Sequence, residues 1–328
     1  MKRMAIVGAG GMARMRARAL LATGQVSICG VASRHLPSAQ AFGAEIGCAA
    51  CFDDYRQLIA VHPDAVLVEV PHQAQDEITG WALEERLHLL IGGVLATSTG
   101  HAQRILELSR RDGLVVEAGF EARYSAPWGA AKELLDSGQL GVPVAIRSLA
   151  LWGGDPNTWY YRQHDSGGMP LTHMTYCFIN PIRWLAGNPR AVSAFANRKL
   201  HTAPGLITEE TCIANLLFDG DVLASLTAGF VKPGALPSWT ATLIGTRAAV
   251  ELCLSENENG SLVFYQDARS ECRKFESAGN PFELQAAAFL AALDGKNECR
   301  NTPADTIDDI RVAEAIVFSA KELRTVRL

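Results

Sequence analysis

Up to residue 121, the chain alternates short apolar runs with segments of helical character. The apolar runs are continuous, as in Ala65–Val70, which is typical of parallel strands that are covered on both faces. They predict strands at residues 4–8, 25–32, 65–70, 88–91 and 114–118. The segments between them predict helices at residues 12–23, 38–46, 53–60, 77–85 and 100–111. This order predicts βαβ units and therefore a parallel α/β sheet.

Beyond residue 121, the segments become longer, and apolar and polar residues alternate within them. Alternation predicts strands with one buried face, and turns such as Asp219-Gly220 separate several of them. The predicted strands are Val144–Trp152, Ala191–Arg198, Thr211–Phe218, Val222–Gly229, Ser238–Ile244, Ala248–Leu254 and Ser261–Tyr265. The predicted helices are residues 127–137, 167–186, 281–294 and 305–324.

These patterns predict two domains. Residues 1–121 form an α/β domain, and residues 122–328 form an α+β domain with a mainly antiparallel sheet, whose C-terminal helix can pack back on the first domain. The length of 328 residues agrees with two domains, because single cores stop growing at roughly 250–300 residues.

Composition and charge exclude several classes of partner. The net charge of −5 gives no electrostatic reason to expect nucleic acid or an anionic membrane. No run approaches the roughly 18 apolar residues of a membrane span. The basic start Met1-Lys2-Arg3 precedes an apolar run that is too short for a signal peptide, so we expect a cytoplasmic protein. The eight cysteines are scattered, and Cys48 and Cys51 form a single C-x-x-C, so we expect reduced, packed thiols and no metal site.

A glycine-rich turn follows the first predicted strand and opens the first predicted helix. Gly8–Ala13 matches the pattern G-x-G-x-x-G/A in the context that a dinucleotide-binding Rossmann domain requires. Gly8 permits the tight turn, Gly10 lets the backbone approach a pyrophosphate, and Ala13 allows close packing of helix and strand. The predicted cofactor contacts at this turn are Gly8, Gly10, Gly11, Met12 and Ala13.

The end of the second predicted strand selects the form of the cofactor. An NAD site places a carboxylate there, whereas this chain has Ser33 and Arg34. A hydroxyl and a guanidinium suit a 2′-phosphate, so we expect NADP(H) to be favoured over NAD(H). The alternative is that Arg34 is an ordinary solvated charge.

Several motifs in a fixed order make the chain resemble the glucose–fructose oxidoreductase / inositol dehydrogenase (Gfo/Idh/MocA) family over nearly its whole length. They are Gly8–Ala13, Val66–Pro71, Leu95–Ser98, Gly119-Phe120 with Arg123, Gly138–Gly141, and Ser166–Gly168 leading into Ile182–Leu185. The resemblance implies an open-faced sheet in the second domain that carries substrate and oligomer contacts. It also implies that Pro71, His72 and Gln75 lie near the nicotinamide ribose.

The chain departs from this family at its catalytic positions. The family usually has Glu-Lys-Pro where this chain has Gly92-Gly93-Val94, so Gly93 replaces the lysine. An Asp, a His and a second Asp are usual where the second domain has His173, Cys177 and Asn180. The chain is similar in some features to biliverdin-reductase-like members and to members that oxidise cyclic hemiacetals, and both groups lack the lysine.

His173 and Tyr176 are the predicted catalytic residues, because they lie within one helical turn and histidine titrates near neutral pH. The alternative for His173 is a core histidine. The predicted substrate contacts are Arg123, which could clamp a carboxylate or pair with Glu121, and Trp159, Tyr160, Cys177 and Asn180. Glu69 stands out because a buried carboxylate must be protonated or paired.

These features predict an NADP(H)-dependent oxidoreductase. It would move a hydride to or from a small cyclic substrate, which is sugar-like, a hemiacetal or a conjugated ring. The alternative is a non-catalytic cofactor or ligand sensor on the same scaffold. We expect a homodimer or homotetramer formed through the open sheet face, because an uncovered apolar face must be buried.

Overall fold

The computed structural model describes residues 1–153, 155–232, 234, 239–254 and 259–328. The chain divides into two compact units, which are Met1–Phe120 with Phe282–Ile307, and Glu121–Pro281 with Asp308–Leu328. The sequence predicts a second domain of residues 122–328, whose C-terminal helix can pack back on the first domain. Residues 282–307 group instead with the first unit, because Phe282 and Phe289 join its hydrophobic core.

In the first unit, the described residues form a six-stranded parallel sheet of order β3-β2-β1-β4-β5-β6. Its strands are β1 Lys2–Val7, β2 Val26–Ala32, β3 Cys51–Phe52, β4 Ala65–Val68, β5 His88–Gly92 and β6 Val116–Gly119. The order reverses between β1 and β4, and ligands of open α/β sheets bind at such a point. The predicted Rossmann domain is therefore confirmed.

The described residues of the second unit form a nine-stranded sheet of order β14-β13-β12-β11-β7-β10-β9-β8-β15. Its strands are β7 Pro143–Leu151, β8 Ala191–Asn197, β9 Thr211–Leu217, β10 Leu223–Gly229, β11 Thr240–Gly245, β12 Ala249–Leu254, β13 Gly260–Gln266, β14 Arg269–Lys274 and β15 Val326–Arg327. β7 and β10 pair in parallel and the other neighbours are antiparallel, which confirms a mainly antiparallel sheet. The predicted start of β11 at Ser238 lies outside the described residues.

Helices connect and cover these strands. They are α1 Gly11–Ala22, α2 Leu36–Ile46, α3 His72–Glu84, α4 Thr99–Asp112, α5 Ala126–Asp136, α6 Gln163–Ser166, α7 Asn180–Ala186, α8 Pro281–Leu293 and α9 Pro303–Glu322. The helix predicted over residues 53–60 is a 3₁₀-helix, Tyr55–Val61. Within the described ranges, no helix is long and apolar enough to cross a membrane.

The helix predicted over residues 167–186 differs from the prediction in its type and in its start. The structure has a π-helix over Pro170–Ile179, which runs directly into α7. The Thr175 hydroxyl donates to the Pro170 carbonyl at 2.6 Å, five residues back, and this follows the wider π-helical spacing. π-Helical turns are rare and occur frequently at functional sites.

The two faces of the second sheet differ in burial. Along β9, Cys212, Ala214 and Leu216 are buried, whereas Ile213 between them is 46% exposed. Phe195 on β8 pairs directly with Ile213 and is 60% exposed, and Leu223 on β10 is 56% exposed. One face therefore belongs to the core of the unit, and the other presents large apolar side chains.

Candidate active site

The glycine-rich turn forms an open cradle at the end of β1. Gly8 has a φ of +116°, and a Cβ there would lie 1.9 Å from the Glu69 carbonyl oxygen, so only glycine fits. Gly10 is the N-cap residue of α1 and has no side chain to cap that end of the helix. A Cβ on Gly10 or Gly11 would meet nothing within 4 Å. The turn thus leaves room for an anion at the helix N-terminus, and a dinucleotide pyrophosphate fits it.

The other predicted cofactor residues lie at the strand ends of the same unit. Ala13 is fully buried in the core beside the partly buried Met12, which agrees with close packing of helix and strand. Ser33 and Arg34 directly follow β2, and Arg34 is exposed. Among the described residues, no hydrogen bond or ion pair engages its guanidinium. An exposed, unengaged cation at this position is suited to a phosphate.

α3 is anchored beside the carboxyl end of β5. Pro71 precedes its first turn, His72 and Gln75 are buried, and the Gln75 side-chain amide donates to the Val94 carbonyl at 2.8 Å. Gly93, at the position of the family lysine, has a φ of +69°, and a Cβ there would meet nothing within 4 Å. The first unit therefore offers no side-chain acid or base at position 93.

The pairing of Glu69 explains a carboxylate that looked out of place in the sequence. Arg16 on α1 places its Nε 2.5 Å from Glu69 Oε1. Burial raises the pKa of the Glu69 carboxyl, and the charge and hydrogen bond of Arg16 oppose that rise. Sequence analysis did not single out Arg16, because an arginine on a surface helix is usually solvated.

His173 stands among aromatic rings in the second unit. Its ring centroid lies 4.5 Å from that of Trp152, 4.8 Å from that of Tyr160 and 5.0 Å from that of Phe230, each in an edge-on arrangement. Eight of the ten residues of the π-helix are buried, and the two that keep accessible surface are His173 and Tyr176. The two predicted catalytic side chains are therefore the half-buried ones of this helix, and the Nδ1 atom of His173 is itself buried.

Trp152 and Phe230 were missed by sequence reasoning. They directly follow β7 and β10, whose last residues pair in parallel. Both rings therefore lie at the same end of these two strands, with their centroids 6.1 Å apart. Trp239 extends the cluster, with its ring 5.0 Å from that of Trp152. The sequence shows an aromatic residue after each of these two strands. It does not show that the two strands pair in parallel, which is what brings the rings together.

The remaining predicted substrate contacts divide into two groups. Trp159 and Tyr160 are half-buried, and their ring centroids lie 4.2 Å apart. Cys177, Arg123 and Asn180 are buried instead, with exposures of 1%, 3% and 0%.

Arg123 and Asn180 are hydrogen-bonded to residues of the second unit. Arg123 Nε donates to Asn180 Oδ1 at 3.0 Å, and the Asn180 amide donates to Asp309 Oδ2 at 2.7 Å. These contacts favour a structural role for Arg123 and Asn180 over the substrate contact expected from the sequence, and the burial of Cys177 favours packing.

A parallel sheet with a glycine-rich turn at the N-terminus of its first helix is typical of dinucleotide-binding proteins. Residues 2–120 match the model of the oxidoreductase family with an NAD-binding Rossmann fold, and residues 128–251 match that of the GFO/IDH/MocA C-terminal domain. The chain belongs to the Gfo/Idh/MocA family and is an NAD(P)-dependent oxidoreductase.

Two relatives of the chain carry the names of sugar reductases. The chain is 27% identical over 256 residues to dTDP-3,4-didehydro-2,6-dideoxy-alpha-D-glucose 3-reductase of Streptomyces antibioticus, covering 76% of this chain and 75% of the relative. It is 22% identical to 1,5-anhydro-D-fructose reductase of Ensifer adhaerens, covering 98% and 96% of the two chains.

A solved structure shows the same fold. The 3-ketoreductase KijD10 of Actinomadura kijaniata, in complex with NADP and TDP-benzene, superposes with a TM-score of 0.86 at 20% identity and 97% coverage of each chain. Nothing in these comparisons supports the alternative of a non-catalytic sensor.

Proposed function

We propose that this enzyme transfers a hydride between NADP(H) and a small, sugar-like ring, with His173 as the acid–base group. The observation that carries the proposal is the half-buried position of His173 in the π-helix, edge-on to three aromatic rings. The names of the two sugar reductases to which the chain is similar support the substrate class.

Under this proposal, the first unit binds the cofactor and the second unit supplies the acid–base group. Gly8–Ala13 would hold the pyrophosphate of the cofactor at the N-terminus of α1, and the cofactor would supply or accept the hydride. Pro71, His72 and Gln75 would lie beside its nicotinamide ribose. His173 gives or takes the proton at the reacting oxygen, since position 93 has no side chain to do so. Tyr176 assists beside it, and Trp159 and Tyr160 bind the apolar face of the ring.

Arg34 is expected to determine the cofactor preference. Arg34→Ala should weaken NADPH binding by about 1–3 kcal/mol, the scale of a hydrogen bond to a charged group, and change NADH binding little. Arg18→Ala, which removes another exposed cation from the same unit, is the control. Dissociation constants from cofactor fluorescence measure both effects. Equal affinities of the wild type for NADPH and NADH would contradict the assignment.

We also propose a cytoplasmic homodimer or homotetramer that buries the face bearing Phe195, Ile213 and Leu223. Ile213→Lys places a charge in the middle of that face and is expected to dissociate the assembly, because an unpaired buried charge is costly. Phe318→Lys on α9, which is also exposed in the isolated chain, should leave it intact. Light scattering at micromolar concentration distinguishes the states, and a monomeric wild type would refute the proposal.

A further inference from the structure

A buried ion pair lies where strands of the first unit end. Glu69 directly follows β4 and pairs with Arg16 of α1, and their side chains are only 12% and 3% exposed. The other two nitrogens of the guanidinium donate to Gln285 Oε1 at 2.7 Å and to the Gly119 carbonyl at 2.6 Å. One side chain of α1 is therefore bonded to the ends of β4 and β6 and to α8.

Three glycines at strand ends lie close to this pair, and Gly92 makes room for its carboxylate. A Cβ on Gly92, at the end of β5, would lie 2.0–2.3 Å from the carboxyl atoms of Glu69. A Cβ on Gly119, at the end of β6, would lie 2.8 Å from Arg16 Nη2. A Cβ on Gly8, after β1, would meet the Glu69 carbonyl oxygen. The Glu69 carboxylate thus fills the space that a side chain at position 92 would occupy.

The two residues of the pair are also connected to the strand and the helix that flank the glycine-rich turn. On the strand side, the Glu69 N–H donates to the Val7 carbonyl at 2.8 Å, and Gly8 packs on the Glu69 carbonyl. On the helix side, Arg16 belongs to α1, whose first residue is Gly11. The turn runs from β1 to α1, and the ion pair joins α1 to the end of β4, the strand that pairs with β1. The pair therefore fixes the position of the helix N-terminus relative to β4.

We propose that Glu69 and Arg16 are positioning residues for the cofactor, which hold the N-terminus of α1 where it binds the pyrophosphate. This inference rests on the cofactor site proposed above. A purely structural pair would contribute to folding alone, and removing one partner of any buried pair is destabilising. Cofactor affinity in the folded protein therefore distinguishes the two roles.

The first test compares two matched buried pairs. Glu69→Gln keeps the shape of the side chain and removes its charge. Asp309→Asn does the same in the second unit, where Asp309 Oδ1 lies 2.5 Å from Arg183 Nη1 and the side chains are 0% and 4% exposed. Both variants should unfold at a lower temperature. At a temperature where circular dichroism shows both folded, Glu69→Gln should raise the Kd for NADPH about tenfold or more, and Asp309→Asn should leave it within about twofold.

The second test moves the carboxylate to the neighbouring strand. Gly92 has no positive φ, and Glu69→Ala vacates the space beside it. An aspartate at position 92 carries its carboxyl carbon about 1.5 Å from Cβ, close to the 2.0 Å that separates that Cβ from the Glu69 carboxyl carbon. The double variant Glu69→Ala/Gly92→Asp should therefore bind NADPH more tightly than Glu69→Ala.

The outcomes separate this inference from the proposal on which it rests. Wild-type affinity in Glu69→Gln would overturn the positioning role, and so would a double variant that recovers none of the affinity lost in Glu69→Ala. A wild type that binds neither NADPH nor NADH would instead refute the cofactor site itself, and the inference would fall with it.

Discussion

Replacing His173 by alanine is expected to lower kcat by about 10²–10⁴-fold, the usual contribution of general acid–base catalysis. Gly93 has no side chain, so the lysine that is usual in the family is absent, and reduction of a carbonyl still requires a proton. The same variant should flatten the pH dependence of kcat, because the group that gives or takes the proton is removed. Steady-state kinetics with NADPH as a function of pH measure both effects.

Two control variants separate proton transfer from damage to the helix. Cys177→Ser alters a buried neighbour on the π-helix and should keep kcat within about tenfold, with any loss coming from packing. His164→Ala removes an exposed histidine close in sequence and should leave the pH profile unchanged. If His173→Ala keeps the full kcat at every pH, water or the substrate supplies the proton and the assigned role is wrong.

Gly8→Ala is expected to lower the stability of the fold, whereas Gly10→Ala is expected to change stability little. The added methyl of Gly8→Ala would overlap the Glu69 carbonyl oxygen at a φ of +116°, so the variant should lose about 3 kcal/mol or more of stability. Gly10→Ala has open space around its Cβ and an extended backbone, with a φ of −78° and a ψ of 179°. It should lose about 1 kcal/mol or less.

The same pair of variants tests the cofactor cradle. In Gly10→Ala, the methyl group projects into the space assigned to the pyrophosphate, so NADPH affinity should fall at least about tenfold in a fully folded protein. Urea unfolding and cofactor fluorescence measure the two quantities separately. A Gly10→Ala variant that binds NADPH as tightly as the wild type would place the pyrophosphate elsewhere.

The first unit was largely predictable because its signals are local. Continuous apolar runs gave β1, β2, β4, β5 and β6, and the turn Gly8–Ala13 stands in the strand–helix context that dinucleotide binding requires. The polar strand β14 was not predictable, since all six of its residues are exposed and no apolar alternation marks it. The grouping of residues 282–307 with the first unit was also hidden, because an apolar helix face does not show which core it covers.

The candidate site was predicted only in part, because some of its features depend on contacts between residues that are distant in the sequence. His173 and Tyr176 were visible as residue types at helical spacing. Which residues of the π-helix are buried and which are half-buried depends on how that helix packs, and the sequence does not show this. The Glu69–Arg16 pair joins residues 53 positions apart, and only the folded sheet brings them together. The sequence also does not show that the Glu69 carboxylate occupies the space beside Gly92, which the structure reveals.

The transfer of an isotope label tests the central claim most directly. The wild-type enzyme is incubated with NADPH that carries deuterium at the reactive carbon of the nicotinamide and with a panel of neutral cyclic ketosugars. Mass spectrometry of the products then locates the label. The account predicts one deuterium on the carbon that becomes the alcohol, with a yield that depends on His173. Cofactor binding without label transfer to any ring in the panel would contradict it.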